Sequence, residues 1–60
     1  MKFIKGDNIQ IGCDLFHIVG VKTVKQDSVL ISEQYILSGL IDDEWLFMDV
    51  SKADEQAIRV

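Results

Sequence analysis

A single cysteine in a chain of 60 residues is the feature that most constrains the fold. Cys13 has no partner within the chain, so neither an intramolecular disulfide nor a multi-cysteine zinc site can support the structure. A chain of this length buries only about 60% of the surface that its unfolded form exposes, so its stability is expected to be marginal. The sequence must compensate with a dense apolar core or with a second chain, and its hydrophobic fraction of 48% suits either solution.

Short blocks of isoleucine and valine between turn-forming residues predict a chain built mainly of strands. Residues 9–11 alternate between apolar and polar side chains, and a longer strand is expected from residue 15 to about residue 24. The apolar positions of this second strand change face at Gly20, which predicts a bulge or a sharp bend. Residues 25–28 are expected to form a hairpin connection, with residues 29–31 as the returning strand.

The segment from residue 32 to residue 39 is ambiguous. We expect irregular structure or a single turn there, because six or seven residues are too few for a helix to form by its own propensity. Two alternatives stay open: the preceding strand continues, or a short helix forms at residues 32–38 with Ser32 as its N-cap. Gly39 would then lie just past the end of that helix.

The tail also has two interpretations. We favour a helical turn at residues 51–55, followed by a strand at residues 56–60 that covers the open edge of the first strand. The alternative is a C-terminal helix at residues 51–60, with Ser51 and Asp54 approximating a capping box. The expected class is therefore all-β: one domain spanning residues 1–60, folded as a small five-stranded SH3-like barrel with one short helical turn near residues 51–55. The α+β alternative contains the helix at residues 32–38 or the one at residues 51–60.

The sequence indicates no catalytic residues, no metal site and no cofactor. Cys13 and His17 are separated by about 13 Å if the chain between them is extended, too far apart to share a zinc ion. The four glycines are scattered singly, so no phosphate-binding loop is present. We therefore expect a protein that is not an enzyme.

Acidic and aromatic residues are concentrated around one expected strand. Residues 45–50 predict a strand whose even-numbered side chains, Leu46, Met48 and Val50, form the core side. Trp45 and Phe47 would then be exposed, in a region of high negative charge. We call the following six residues the acidic-aromatic patch: Asp42, Asp43, Glu44, Trp45, Phe47 and Asp49.

Aromatic side chains supply much of the binding energy at protein interfaces, and surrounding charge selects the partner. The acidic-aromatic patch thus predicts a module that docks a basic surface or basic peptide of another protein. Such a module could act as an inhibitor or regulator by occupying the nucleic-acid site of its partner. Packing against a second copy of the chain is the competing use of the same surface.

The charge distribution offers one alternative function. Residues 1–25 contain four lysines against two aspartates, giving +2, whereas residues 26–60 contain two basic against eight acidic residues, giving −6. The basic half could bind RNA or single-stranded nucleic acid, with Phe3, Phe16 and Tyr35 stacking on bases. The lysines concerned are Lys2, Lys5, Lys22 and Lys25. No run approaches the roughly 20 apolar residues of a membrane-spanning helix, and a lone cysteine is typical of a reducing compartment, so we expect a cytoplasmic protein with no membrane partner.

Overall fold

The computed structural model describes residues 1–60 as one antiparallel sheet of five strands with one short helix. The elements are, in chain order, β1 (Asn8–Ile11), β2 (Asp14–Gln26), β3 (Val29–Gly39), β4 (Trp45–Asp49), α1 (Val50–Gln56) and β5 (Ile58–Arg59). The strand order is β4-β3-β2-β1-β5, so the first four strands form a meander and α1 returns the chain to the free side of β1. The mainly β prediction is confirmed. The prediction of a barrel is wrong, because β4 and β5 lie at opposite edges and the sheet stays open.

Strand β2 contains the bulge that its change of apolar face predicted. Ile18 pairs with Leu37 and Gly20 pairs with Ile36, which leaves Val19 as one extra residue on β2. Such an insertion reverses the face to which the following side chains point. Ile18 is buried before the bulge, and Val21 packs against the same core after it. The predicted hairpin connection is also present, and Asp27 and Ser28 both adopt positive φ, at 51° and 65°.

Residues 32–39 continue β3, so the expectation of irregular structure is wrong, and so is the alternative of a helix at residues 32–38. The reason is that this segment is buried between two neighbouring strands. Strand β3 pairs with β2 on one side and with β4 on the other. Tyr35 and Leu37 are fully buried in these central positions, and a pleated position of this kind favours β-branched, aromatic and other apolar side chains.

The tail follows the favoured interpretation. Helix α1 occupies Val50–Gln56, and the chain leaves it at Ala57 with extended angles of φ −92° and ψ 151°. Strand β5 then pairs with β1, with Arg59 opposite Ile9. The C-terminal helix at residues 51–60 is therefore wrong, and the capping box is absent because α1 begins one residue earlier and Asp49 occupies its N-cap position. No helix here has the length and apolarity that a membrane crossing requires.

The core lies between the inner face of the sheet, helix α1 and the segment that precedes β1. Phe3 is completely buried although it belongs to no strand or helix. Its ring meets that of Tyr35 edge-on, with centroids 6.1 Å apart. The remaining buried residues are Ile9, Phe16, Ile18, Leu37, Ala53 and Ala57.

The hydroxyl group of Tyr35 links the N-terminal segment to α1. It donates a hydrogen bond to Asp54 Oδ1 at 2.7 Å and accepts one from the backbone N–H of Phe3 at 3.1 Å. The N–H of Lys2 donates to both carboxylate oxygens of Asp54, each at 3.1 Å. These bonds position residues 1–3 over the core, which explains why Phe3 is buried without any regular structure.

The two ends of the chain meet at the β1–β5 edge of the sheet. The guanidinium group of Arg59 donates to Asp7 Oδ2 at 3.0 Å and to the carbonyl oxygen of Lys2 at 3.2 Å. The N–H of Val60 donates to the carbonyl oxygen of Asn8 at 3.0 Å. The backbone N–H of Ile4 lowers the pKa of Asp7, with a further contribution from Arg59.

Tyr35 makes the stability of the folded protein depend on pH in the basic range. Burial raises the pKa of its phenol above 10.0, and the hydrogen bond to Asp54 and the charge of Asp54 raise it further. Above pH 10 the unfolded chain therefore loses this proton while the folded chain retains it. Since the unfolded state then binds fewer protons, the free energy of unfolding falls as pH rises above 10.

We expect the folded protein to titrate its phenol at a higher pH than the unfolded protein. Tyr35 is the only tyrosine, so tyrosinate absorbance measured in buffer and in urea reports this group alone. Tyr35→Phe should remove the tyrosine contribution to the loss of stability above pH 10, at a cost of about 1–3 kcal/mol at pH 7 from the partners left unpaired. Identical titration midpoints in buffer and urea would contradict the buried hydrogen bond.

Candidate functional site

Strand β4 presents alternate side chains to the two faces of the sheet. Leu46 and Met48 pack against the core, whereas the side chains of Trp45 and Phe47 remain 63% and 55% exposed. The prediction that the even-numbered residues face the core is thus confirmed, and Val50 also packs there, as the first residue of α1. We use the term outer face for the side of the sheet opposite the core.

Two residues of β3 extend the surface around Phe47. Ile36 pairs with Phe47, and Gln34 pairs with Asp49. Because residues paired across antiparallel strands share a face, Ile36 continues the apolar surface and Gln34 lies at its polar end. Gln34 Nε2 donates to Asp49 Oδ1 at 3.2 Å, which orients this carboxylate.

A lysine from β2 reaches the same surface. Lys22 pairs with Gln34, so it lies in register with Asp49 across three strands. Its Nζ is 4.1 Å from the centroid of the Phe47 ring, close enough for the ring to attract a cation. Sequence reasoning missed this contact because it depends on the register of three strands, and it had assigned Lys22 only to the nucleic-acid alternative.

The loop between β3 and β4 is held tightly against the end of β3. The N–H of Gly39 donates to the carbonyl oxygen of Glu44 at 2.8 Å. A Cβ at Gly39 would stand 2.6 Å from the carbonyl oxygen of Asp42, which is closer than side chains tolerate. Glycine is therefore required at this position. The loop presents Asp42, Asp43 and Glu44 as exposed residues immediately before Trp45.

A shallow cleft lies between this loop and the start of β2. The residues that line it include Asp14, Asp42, Glu44 and Ile41. Neither Asp14 nor Ile41 was singled out from the sequence. Ile41 belongs to the loop itself, whereas Asp14 is the first residue of β2 and approaches the loop only because β2 runs beside the end of β3. The structure contains no group of three or more His, Cys, Asp or Glu side chains arranged to hold a metal ion.

The lysines of the nucleic-acid alternative are divided between the two sides of the sheet. Lys2 Nζ lies 5.5 Å from the ring centroid of Phe3, a core residue, whereas Lys22 lies over Phe47 on the outer face. Lys5 belongs to the turn before β1, and Lys25 is near the end of β2. Lys2 and Lys22 therefore do not contribute to the same surface.

The aromatic residues expected to stack on bases are not available for stacking. Phe3, Phe16 and Tyr35 all belong to the buried core. A base can stack only on an exposed aromatic face. That part of the alternative is wrong, and the exposed aromatic side chains are instead those of the acidic-aromatic patch.

Cys13 and His17 have separate surroundings. Cys13 is exposed in the turn between β1 and β2. His17 Nδ1 lies 2.8 Å from the side-chain oxygen of Asn8, its partner across the β1–β2 pair. The imidazole is therefore hydrogen-bonded within the sheet.

Comparison of the chain with family models, with curated proteins and with solved structures found no match. The structural class of the protein is therefore described from its own fold. It is an open five-stranded antiparallel sheet whose edge strand β4 carries two exposed aromatic side chains beside a carboxylate-rich loop.

Proposed function

We propose that this chain is a non-catalytic interaction module that docks a basic protein surface or peptide through its acidic-aromatic patch. The observation that carries the proposal is the exposure of Trp45 and Phe47 on the same face of an edge strand. Large aromatic side chains contribute disproportionately to binding when a partner buries them. Two of them side by side on one small face provide the centre of an interface.

The charges around the aromatic residues favour a basic partner. The two ion pairs of the molecule use Asp54, on the core side of the sheet, and Asp7, at the β1–β5 edge. The acids of the loop, Asp42, Asp43 and Glu44, take part in neither. Their charges remain available to attract a positively charged surface and to orient it during association.

A finer form of the proposal concerns the kind of partner. Proteins that bind nucleic acid present a basic surface whose lysine and arginine side chains neutralise phosphates, so they are one class of partner with the required charge. We propose that the module regulates its partner by covering such a site with the carboxylates of the loop. Added module should then reduce nucleic-acid binding by the partner, in proportion to the fraction of partner that it occupies.

We further propose an open variant of the SH3-like topology, with a cytoplasmic location. Three features support the topology: a four-strand meander, a bulged second strand, and a short helix that precedes a last strand paired with the first. The location is supported by the lone exposed Cys13, which is compatible with a reducing compartment.

The test is capture of the partner from lysate of the source cell, after nuclease treatment, by the module and by two triple variants. Asp42→Asn, Asp43→Asn and Glu44→Gln together should weaken association by about tenfold and flatten its salt dependence, since exposed charges at an interface mainly set the association rate. The matched control is Asp27→Asn, Glu33→Gln and Glu55→Gln, which removes the same charge elsewhere on the chain.

The result that supports the proposal is a protein retained after nuclease, lost from the loop variant and kept by the control variant. Equal capture by both variants would overturn it. Partners that disappear with nuclease would instead favour the nucleic-acid alternative.

A further inference from the structure

The Phe47 ring is already occupied by a cation from its own chain. Lys22 extends from β2 across β3, and its ammonium group stands 4.1 Å from the ring centroid on β4. An acid is available in the same row, because Lys22, Gln34 and Asp49 are in register. The lysine nevertheless makes no ion pair with Asp49, whose carboxylate accepts a hydrogen bond from Gln34 instead.

This contact shows that the outer face holds a positive charge over an aromatic ring. The ring is reachable by a side chain arriving from above the sheet, since Phe47 keeps 55% of its surface exposed. Ile36, which pairs with Phe47, adds an apolar side chain to the same face. Asp49 adds a negative charge, and the hydrogen bond from Gln34 orients its carboxylate. These are the components that attract the head group and the aliphatic stem of an arginine or lysine side chain.

We propose that the Phe47 ring binds an arginine or lysine side chain of the basic partner. Lys22 of the same chain occupies this site in the free protein, and the partner's side chain displaces it on docking. The inference rests on the proposed function and adds the chemistry of the docking group. A planar guanidinium stacks on aromatic faces and is more weakly hydrated than an ammonium group, so an arginine is the better competitor for the ring.

Lys22 therefore reduces the affinity of the patch for cations. A single exposed cation–aromatic contact corresponds to about a two- to fivefold factor in an equilibrium constant. Removing the lysine releases the ring and removes one positive charge near the incoming partner. The first effect is specific to Lys22, whereas the second is shared with any nearby lysine.

The experiment compares Lys22→Met with Lys25→Met, which lies three residues further along the same strand and has no contact with an aromatic ring. Both variants lose one positive charge. The probe is a fluorescein-labelled nona-arginine peptide, titrated at fixed ionic strength and followed by fluorescence anisotropy. We expect Lys22→Met to bind the probe about two- to fivefold more tightly than Lys25→Met. In a Phe47→Leu background the two lysine variants should bind equally.

A second measurement follows the displacement directly. Because Lys22 Nζ is 4.1 Å from the ring centroid, the ε-methylene protons bonded to the adjacent carbon should be shifted upfield in the free protein by the ring current. Saturation with nona-arginine should move them to the position of a free lysine. Unchanged ε-methylene shifts at saturation would overturn the inference, and so would equal affinities of Lys22→Met and Lys25→Met for the probe.

The two proposals fail in different ways. Equal affinities of the lysine variants, combined with loss of the natural partner from the loop variant, would reject the cation-binding site on Phe47 and keep the docking function. Failure of every variant to bind nona-arginine would also reject the cation-binding site on Phe47. Capture of the natural partner that is indifferent to the loop acids would reject the docking function itself.

Discussion

Trp45→Ala is expected to weaken binding of the basic partner by at least thirtyfold while the domain stays folded. A central aromatic residue of an interface commonly contributes about 2 kcal/mol or more to binding, which corresponds to a factor of about 30. The same side chain is 63% exposed in the free chain, so its removal leaves no cavity in the core. We therefore expect the free energy of unfolding to change by less than about 1 kcal/mol.

The measurement uses the tryptophan itself as a reporter. Trp45 is the only tryptophan, so its emission should shift to shorter wavelength when the partner covers it. Affinities of the wild type and of Trp45→Ala are then compared by calorimetry with the captured partner. Val29→Ala is the control, because Val29 is equally exposed and lies at the far end of β3. Loss of the cooperative unfolding transition in Trp45→Ala would show that Trp45 is a core residue, and an unchanged affinity would remove it from the interface.

Phe3→Ala is expected to remove much or all of the free energy of unfolding at 25 °C. Replacing a fully buried phenylalanine by alanine costs about 3–5 kcal/mol. A domain of this size has a total stability of about 3–9 kcal/mol, so one such loss removes much or all of it. The effect is large because Phe3 contacts Tyr35 and belongs to the buried cluster that includes Ala53 of α1. Its ring also has the cations of Lys2 and Arg59 beside it.

Circular dichroism and urea denaturation measure this effect. Ile4→Ala is the natural control, since Ile4 is the next residue in the chain and is 67% exposed. Its free energy of unfolding should stay within about 0.5 kcal/mol of the wild type. If Phe3→Ala were as stable as Ile4→Ala, the N-terminal segment would not belong to the core in solution.

Local patterns in the sequence were sufficient for much of the sheet. The alternation around Ile9, the change of face at Gly20 and the exposure of Trp45 all follow from the two-residue period of a strand. The last strand, with a helical turn before it, was also predictable, because the exposed edge of the first strand needs a partner. These features depend on neighbours in the chain or on a single pairing.

The features that the sequence did not predict depend on several elements at once. Residues 32–39 lack a strong local preference, and their strand is decided by pairing on both sides. Phe3 lies in a short N-terminal segment with no strand or helix period, and the hydrogen bonds around Tyr35 hold this segment over the core. The contact of Lys22 with Phe47 requires the register of β2, β3 and β4 together. The barrel was wrongly expected because nothing in the sequence specifies whether β4 and β5 meet.

The meeting of the chain ends at the β1–β5 edge has a practical consequence for tethering. Strand β4 is the opposite edge of the same sheet, so a linker attached to residue 60 departs from the edge away from Trp45 and Phe47. A linker attached to residue 1 departs beside Asp54 of α1, on the core side of the sheet and not on the outer face. The module can thus be carried by another domain, or immobilised on a surface, with its docking face pointing outward. Attachment at the N-terminus should use a flexible spacer, because the backbone of Lys2 is bonded to Asp54. The same proximity makes the chain suited to circular permutation, with the ends joined and new termini opened at the exposed Asp27–Ser28 turn.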